Sequence, residues 1–587
     1  MKLSVALGLL GLLGYSTVVR AADDPRPNVE DVKLESLFKT FLDDAFRVQP
    51  MLATSLGDHR YDDKLDDLSP DARAANLKRL RQALADLPRR IAYDRLSRDG
   101  QIDFEIFRRH LEREVWLDEH FKPFEDDPRA YGPYLTDCVY TPLTQSTLPP
   151  DKNVANVTAR MAHIPSVIDI ARNSIKNPPK VRVETAIRQA EGAIAFYRKE
   201  IFTLANKPPG QGELGDRAEA VAKALTRHVA FLKDEVLPRS TDDWRIGPEL
   251  FAKKLDLELD AGLTAADVLS EAKAEADRVE REMAVIARVL WPEMFPGKAV
   301  PTDDAEGRRA MTAAVLAQIA KDHGTPEGLV RDAKATVADI KAFIKKNDIL
   351  ALPDPDRCRI IEMPEFKRGV SVAYLESAPP LDPQGASEYA ISPPPSDWSA
   401  KQVESYLGEY NRAMLKVLTI HEAYPGHYVQ LEYANRCPSL IRKVLSSGTF
   451  AEGWAVYTER MMLDQGFGGG DLRLRLQQMK FYLRAVTNAI LDHEMHAGTM
   501  TDAQAMDLLV NRAFQTEGEA LGKITRAKLT SCQLSTYFVG RTAFHRLRQT
   551  VQREQGDKFS LGRYHEAVLS HGTLPVKYLP ELVRRAK

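Results

Sequence analysis

Cysteine is scarce in this chain, with four in 587 residues. That is too few for a disulfide scaffold to replace a hydrophobic core. An excess of one charge is also missing: 81 Lys and Arg stand against 83 Asp and Glu, for a formal charge of −2. A nearly neutral chain offers no electrostatic reason to expect a nucleic-acid partner. Beyond the first 20 residues there is no run of 18 uninterrupted apolar residues, which excludes a polytopic membrane protein. Internal repeats, low-complexity tracts and long charge runs are absent too. What remains is 44 % hydrophobic and 28 % charged, a composition able to bury a large core.

The exception is the start. Met1-Lys2 is followed by an apolar stretch from Leu3 to Val19 and by Val19-Arg20-Ala21. A short positive segment, an apolar run too short to span a bilayer and a small-residue site read as a secretory signal peptide over residues 1–21. Removing it leaves 79 basic against 83 acidic residues. The expectation is an exported protein, periplasmic or secreted, with no stable membrane insertion after cleavage. In such a compartment Cys138, Cys358, Cys437 and Cys532 either form up to two disulfides, in any of three pairings, or remain free thiols.

Helical periodicity dominates the rest. In residues 264–290, Thr264 and Asp267 are spaced for a capping box, and Val268, Ala272, Val279, Met283, Ile286 and Leu290 mark one face. Pro292 is expected to stop that helix. Thr325-Pro326-Glu327 opens another. Further helical stretches lie near 32–56, 70–88, 154–176, 183–206, 216–236, 402–424, 450–465, 472–498 and 502–516. Alternating pattern is rare, and 357–363 and 370–376 are the best strand candidates. A Pro- and Ser-rich segment, 377–398, separates an N-terminal helical region (22–376) from a C-terminal region (399–587). It reads either as a domain linker or as a loop crossing a cleft within one large unit. Histidines gather in the C-terminal region: His421, His427, His493, His496, His545, His565 and His571.

The sharpest chemical signal is His421-Glu422-Ala423-Tyr424-Pro425-Gly426-His427. A His followed by Glu on a helix, with a second His beyond, is the pattern by which zinc peptidases combine two imidazole ligands with a general base. The spacing departs from the usual one. The second His normally follows the first by four residues, where this chain has Pro425. Six residues along a regular helix turn a side chain by about 600°, which points His427 away from His421. Pro425 removes a helix donor and Gly426 widens the allowed dihedrals, so a kink there is required to bring His427 back. Without it, the pair marks only a helix end. About 30 residues on, Ala451-Glu452-Gly453-Trp454-Ala455 begins a second helical stretch. Glu452 and Glu459 lie two turns apart on one face, suited to one metal ligand and one carboxylate orienting a ligand His.

His-Glu-x-x-Pro-Gly-His followed by Glu-Gly-Trp-Ala resembles bacterial domain-of-unknown-function family 885, grouped with the gluzincin-type metallopeptidases. Glu362-Met363-Pro364-Glu365-Phe366, Arg484 with Asp492 and His496, Gln533 with Tyr537 and Gly540, and the closing His565–Leu569 and Gly572-Thr573-Leu574-Pro575 segments are similar to that family as well. The resemblance implies a mainly α, zincin-like body with a small β element beside a deep cleft. It implies one zinc ion on His421, His427 and Glu452, with Glu422 as general base. Tyr537 and His496 are candidate oxyanion donors, Glu459 and Asp492 supporting residues, and Arg484 or Arg541 a clamp for a peptide carboxylate. Asp492-His493-Glu494-Met495-His496 contains another His-Glu pair and reads as a supporting helix. The function implied is hydrolysis of a peptide or other small amide substrate. A non-peptide metallohydrolase on the same scaffold, or a catalytically silent binding protein, are the competing classes; the Pro425 departure favours the silent one.

Overall fold

A computed structural model of the chain describes residues 28–363, 373–395 and 398–585. The expected signal peptide, residues 1–21, lies outside them, as do Pro364, Glu365 and Phe366. Helices make up most of the described chain, with a single three-stranded sheet. No helix among the described residues is long and apolar enough to cross a membrane.

The helices begin and end where backbone groups find partners. Thr264 and Asp267 do form a reciprocal capping box at the start of the helix Ala265–Met294. That helix runs through Pro292 instead of stopping before it; a proline this near a C-terminus removes only a donor at the last turn. The pattern 402–424 is two helices, Ala400–Glu409 and Arg412–Glu422. Between them the Asn411 side chain accepts from the amides of Ala413 and Met414 and so starts the second.

The sheet corrects the reading of the Pro-rich segment. β1 is Cys358–Glu362, β2 is Ala373–Glu376 and β3 is Ser387–Ile391, in the order β1-β3-β2. β3, the central strand, comes from the segment expected to be a linker or loop. It pairs parallel with β1, Cys358 opposite Ser387, and antiparallel with β2, Ala373 opposite Ile391. Its five residues are all buried, so it lacks the alternation by which half-exposed strands are recognised. The Tyr389 hydroxyl meets the Thr419 hydroxyl at 3.2 Å, fixing the sheet against the helix that carries His421.

Apolar packing ties distant segments together. One cluster joins Phe38 and Phe107 near the N-terminus, Tyr389 of β3, Val417 and Trp454 around the histidines, and Leu582 near the C-terminus. A second lies wholly within residues 68–236, around Tyr131, Tyr197 and Val221. A third packs the helix Ala265–Met294 against the helix Leu472–His496. All four cysteines are free thiols, and Cys138, Cys437 and Cys532 are buried.

Candidate metal centre

The helix Arg412–Glu422 delivers His421 and Glu422 at its last turn and ends at Ala423. A new helix, His427–Asn435, starts at His427. The join depends on Gly426, because a β-carbon there would lie 1.8 Å from the His421 carbonyl oxygen and 2.3 Å from that of Ile420. The indole of Trp454 donates to the Pro425 carbonyl at 2.8 Å and pins the join from the facing helix. The interruption thus resolves the six-residue spacing: the rings of His421 and His427 meet with centroids 4.9 Å apart at 90°.

The facing helix, Gly448–Asp464, brings both carboxylates. Glu452 Oε2 stands 3.5 Å from His427 Nε2 and 3.8 Å from His421 Nε2. One ligand atom from each of His421, His427 and Glu452 lies within 4.8 Å of the others. Two tetrahedral ligands about 2.0–2.1 Å from one zinc ion stand roughly 3.4 Å apart, so the donor set and its spacing fit such an ion. On the far side of the ring, Glu459 Oε1 holds His421 Nδ1 at 2.8 Å. That contact engages Nδ1 and leaves Nε2, the nitrogen that faces Glu452, available to a metal. The neighbouring glycine explains how the helix gets close enough. A β-carbon on Gly453 would lie 2.3 Å from the Gly540 α-carbon, and one on Gly540 would lie 1.9 Å from the Thr449 carbonyl oxygen. The helix Thr536–Gln555, which carries Tyr537, therefore lies in backbone contact with the Glu452 helix.

Burial sets the protonation states. It holds the His421 imidazole neutral, its pKa pulled down to about 3 with help from neighbouring His427, which is the form that binds metals. Burial works against a charged His427 as well, but Glu452 outweighs it and raises the pKa. Burial pushes the Glu422 carboxyl up to about 7, against the pull of His427 and of the Leu375 amide of β2. The Tyr537 hydroxyl is pushed up to about 12 by burial and by Glu452, so it stays a donor at neutral pH.

The other predicted residues divide. Tyr537 sits at the centre: it bonds to Glu452, which its hydroxyl helps keep ionised, and meets Arg526 Nη2 at 3.2 Å and Gln533 Nε2 at 3.4 Å. Arg484 stands near, over the Phe481 ring that edges His421, but its Nη1 is taken by Glu519 at 3.1 Å. Arg541 is 5 % exposed, stacked on Tyr482 and facing Glu275, which sets it behind the site and corrects its reading as a clamp. His496 is corrected likewise. Its Nε2 is committed to the carbonyls of Ala527 and Thr530, and its ring packs against Trp244 and Phe251. Asp492 contacts no ligand histidine. It accepts from the amides of Cys532 and Ser535 and from the Ser535 hydroxyl, bracing the turn that leads into Tyr537. In the second His-Glu pair Glu494 bonds Lys273 and His493 packs on Phe251, consistent with a supporting role. Sequence reasoning missed Lys523, on the helix Glu517–Leu529. Its signal was a lysine standing in the apolar stripe of Ala520, Ile524 and Ala527.

A cavity of about 1610 Å³ opens between the N-terminal helices and the start of the Glu452 helix. None of His421, His427 and Glu452 lines it; it reaches their neighbourhood at Gln533, Thr536 and Gly448.

Comparison with known proteins returns no match among curated proteins. Two solved structures share the fold. One, described as "a putative lipoprotein of unknown function from Shewanella oneidensis", is 30 % identical with a TM-score of 0.78, covering 94 % of this chain and 99 % of that one. The other, described as "the putative lipoprotein from Colwellia psychrerythraea", is 16 % identical with a TM-score of 0.75, covering 95 % and 99 %. The model of the family "Bacterial protein of unknown function (DUF885)" matches residues 50–583. By that match over most of its length, the chain belongs to this family of bacterial proteins of unknown function.

Proposed function

We propose that this chain is an exported zinc-dependent hydrolase of the gluzincin type that cleaves peptide bonds. One observation carries the reading: His421, His427 and Glu452 converge with Glu459 on the Nδ1 side of His421 and Glu422 next to it in the chain. Zinc, when bound there, supplies Lewis acidity and lowers the pKa of a water into the neutral range. The Glu422 carboxylate takes a proton from the attacking water and returns it to the leaving amine; a pKa near 7 suits both transfers. The Tyr537 hydroxyl donates to the substrate carbonyl oxygen as that oxygen gains charge. Asp492 acts at one remove, holding the turn before Tyr537. The cavity reaching Gln533 and Thr536 supports access from the N-terminal helices. Export rests on the leader and on two structural neighbours described as lipoproteins.

The test is elemental analysis with a substrate screen. One zinc per chain is expected, together with hydrolysis of members of a short-peptide library. Glu422→Gln should keep the zinc and lower kcat by about 10²–10⁴-fold, the usual contribution of a general base. Full activity in that variant, or no zinc bound after reconstitution, overturns the reading. Turnover of esters or non-peptide amides alone overturns the substrate class.

A further inference from the structure

The helix Glu517–Leu529 turns Ala520, Lys523, Ile524 and Ala527 inward. Lysine is the odd member of that set, and it is only 5 % exposed. Glu519, Lys523 and Arg526 follow one another at four- and three-residue steps, so they share one helical face. The two outer members are engaged. Glu519 accepts from the Tyr410 hydroxyl at 2.9 Å and pairs with Arg484 at 3.1 Å. Arg526 Nη2 holds Gln533 Oε1 at 2.8 Å and the Tyr537 hydroxyl at 3.2 Å. Lys523, between them, has no hydrogen-bond or ion-pair partner among the described residues. The charges it feels are Arg484, Arg526, Glu519 and Glu452.

A buried ammonium without a counter-ion is costly. Desolvation, with repulsion from Arg484 and Arg526, accordingly pulls the Lys523 pKa well below its ordinary value. The neighbouring carboxylates do not offset this. Glu519 is already shared between Arg484 and Tyr410, and Glu452 faces His421 and His427. The edge of the site next to Tyr537 therefore gathers three basic side chains, Arg484, Lys523 and Arg526, around two carboxylates already engaged elsewhere, Glu519 and Glu452. One anion bound there would give Lys523 the partner that the fold withholds. Sited beside Glu452 and, through Arg526, beside Tyr537, that anion belongs to the substrate.

We infer that Lys523 anchors a subsite for a peptide carboxylate at the Glu452–Tyr537 edge, making the enzyme selective for substrates that carry a free carboxylate there. The inference rests on the peptidase reading above and names its substrate class: short peptides held by an acidic group, through a charge-assisted hydrogen bond. The C-terminal α-carboxylate and an acidic side chain share this chemistry, and the test separates them.

Three probes are titrated calorimetrically into zinc-loaded Glu422→Gln protein, which binds without turnover: N-acetyl-trialanine as the free acid, its C-terminal amide, and that amide with glutamate as third residue. The same titrations are run on the Lys523→Met and Lys523→Arg forms of that protein, with melting curves to show that both fold. The free acid is expected to bind about 10- to 100-fold more tightly than the amide, the range for a hydrogen bond to a charged group. Lys523→Met should abolish that advantage and Lys523→Arg should keep part of it. Tight binding of the glutamate amide assigns the subsite to an acidic side chain; weak binding assigns it to the chain terminus. Equal binding of all three probes, binding of none of the three, or an advantage that survives in Lys523→Met overturns the inference. The peptidase reading is judged separately, by zinc content and turnover in the unsubstituted protein.

Discussion

Glu459 is fully buried, and burial pushes its carboxyl well above the ordinary carboxylate range. A group kept so far from water is retained for its contact, and the contact here is the Nδ1 side of His421. Replacing it should leave the fold but loosen the ion: Glu459→Ala is expected to weaken zinc binding by about 10- to 100-fold, the usual effect of losing such a partner. Competition with a chromophoric chelator measures it, and an unchanged affinity refutes the role. Residues of this kind were legible from the chain because their types and spacing declare their chemistry. A His-Glu pair on a helix and two glutamates seven residues apart mark candidate ligands before any fold is known. His427 was not fully legible, because its approach to His421 depends on the dihedrals of Gly426 and on an indole from another helix. His496 and Arg541 have suitable chemistry but are claimed by partners, Ala527 and Thr530 for one and Glu275 with Tyr482 for the other, and partners of that kind are set only by tertiary packing.

Among elements, the contact that matters most is the crossing of the helices Gly448–Asp464 and Thr536–Gln555 at Gly453 and Gly540. It sets the distance between the ligand Glu452 and the donor Tyr537. A methyl group at 453 meets backbone, which has little room to give. Gly453→Ala should therefore destabilise the protein by about 1–3 kcal/mol, as overpacking does. It should also lower activity, by separating Glu452 from Tyr537. Urea unfolding alongside kcat measures both, and wild-type stability in the variant would disprove the close contact. The same glycine stands in the Glu-Gly-Trp run, whose three residues divide the work between them, with Glu452 as the proposed ligand, Gly453 for close approach and Trp454 as the pin on Pro425. Helices were readable from their periodicity, and the capping box at Thr264 and Asp267 formed as its spacing requires. β3 was not readable, since a strand buried on both faces between prolines shows no period. The break at Asn411 was hidden because the apolar stripe continues across it.

On the scale of the whole molecule, one core cluster spans from Leu34 to Val583, so the site helices and the N-terminal helices share apolar packing. A polar joint strengthens the same connection. His59 Nδ1 meets Asp62 at 2.8 Å and its Nε2 meets Asp382 at 3.0 Å, linking the turn after the second N-terminal helix to the segment before β3. Asp62, then Asp382, raise the His59 pKa to about 9. Burial of Asp62 opposes its ionisation, but His59 and Thr54 outweigh that and hold its pKa down. Because the folded value for His59 exceeds the unfolded one near 6.5, its contribution is complete below about pH 6.5 and disappears as the pH rises through about 9. A loss of about 3 kcal/mol is expected across that window. Melting temperature against pH should fall there for the native chain and stay flatter for His59→Gln; parallel curves would reject the joint.

The interruption between Glu422 and His427 has one more consequence. His427 leads a helix whose entry is closed by the Trp454 indole, and Trp454 lies two residues beyond Glu452 in the chain. Two of the three proposed ligand residues are thus coupled to a single ring, and that ring is fully buried. Whatever draws His427 and Glu452 together or lets them part also shifts the surroundings of the indole. Trp454, one of five tryptophans, is thereby expected to report the occupancy of this site through a shift in its emission, without any added label.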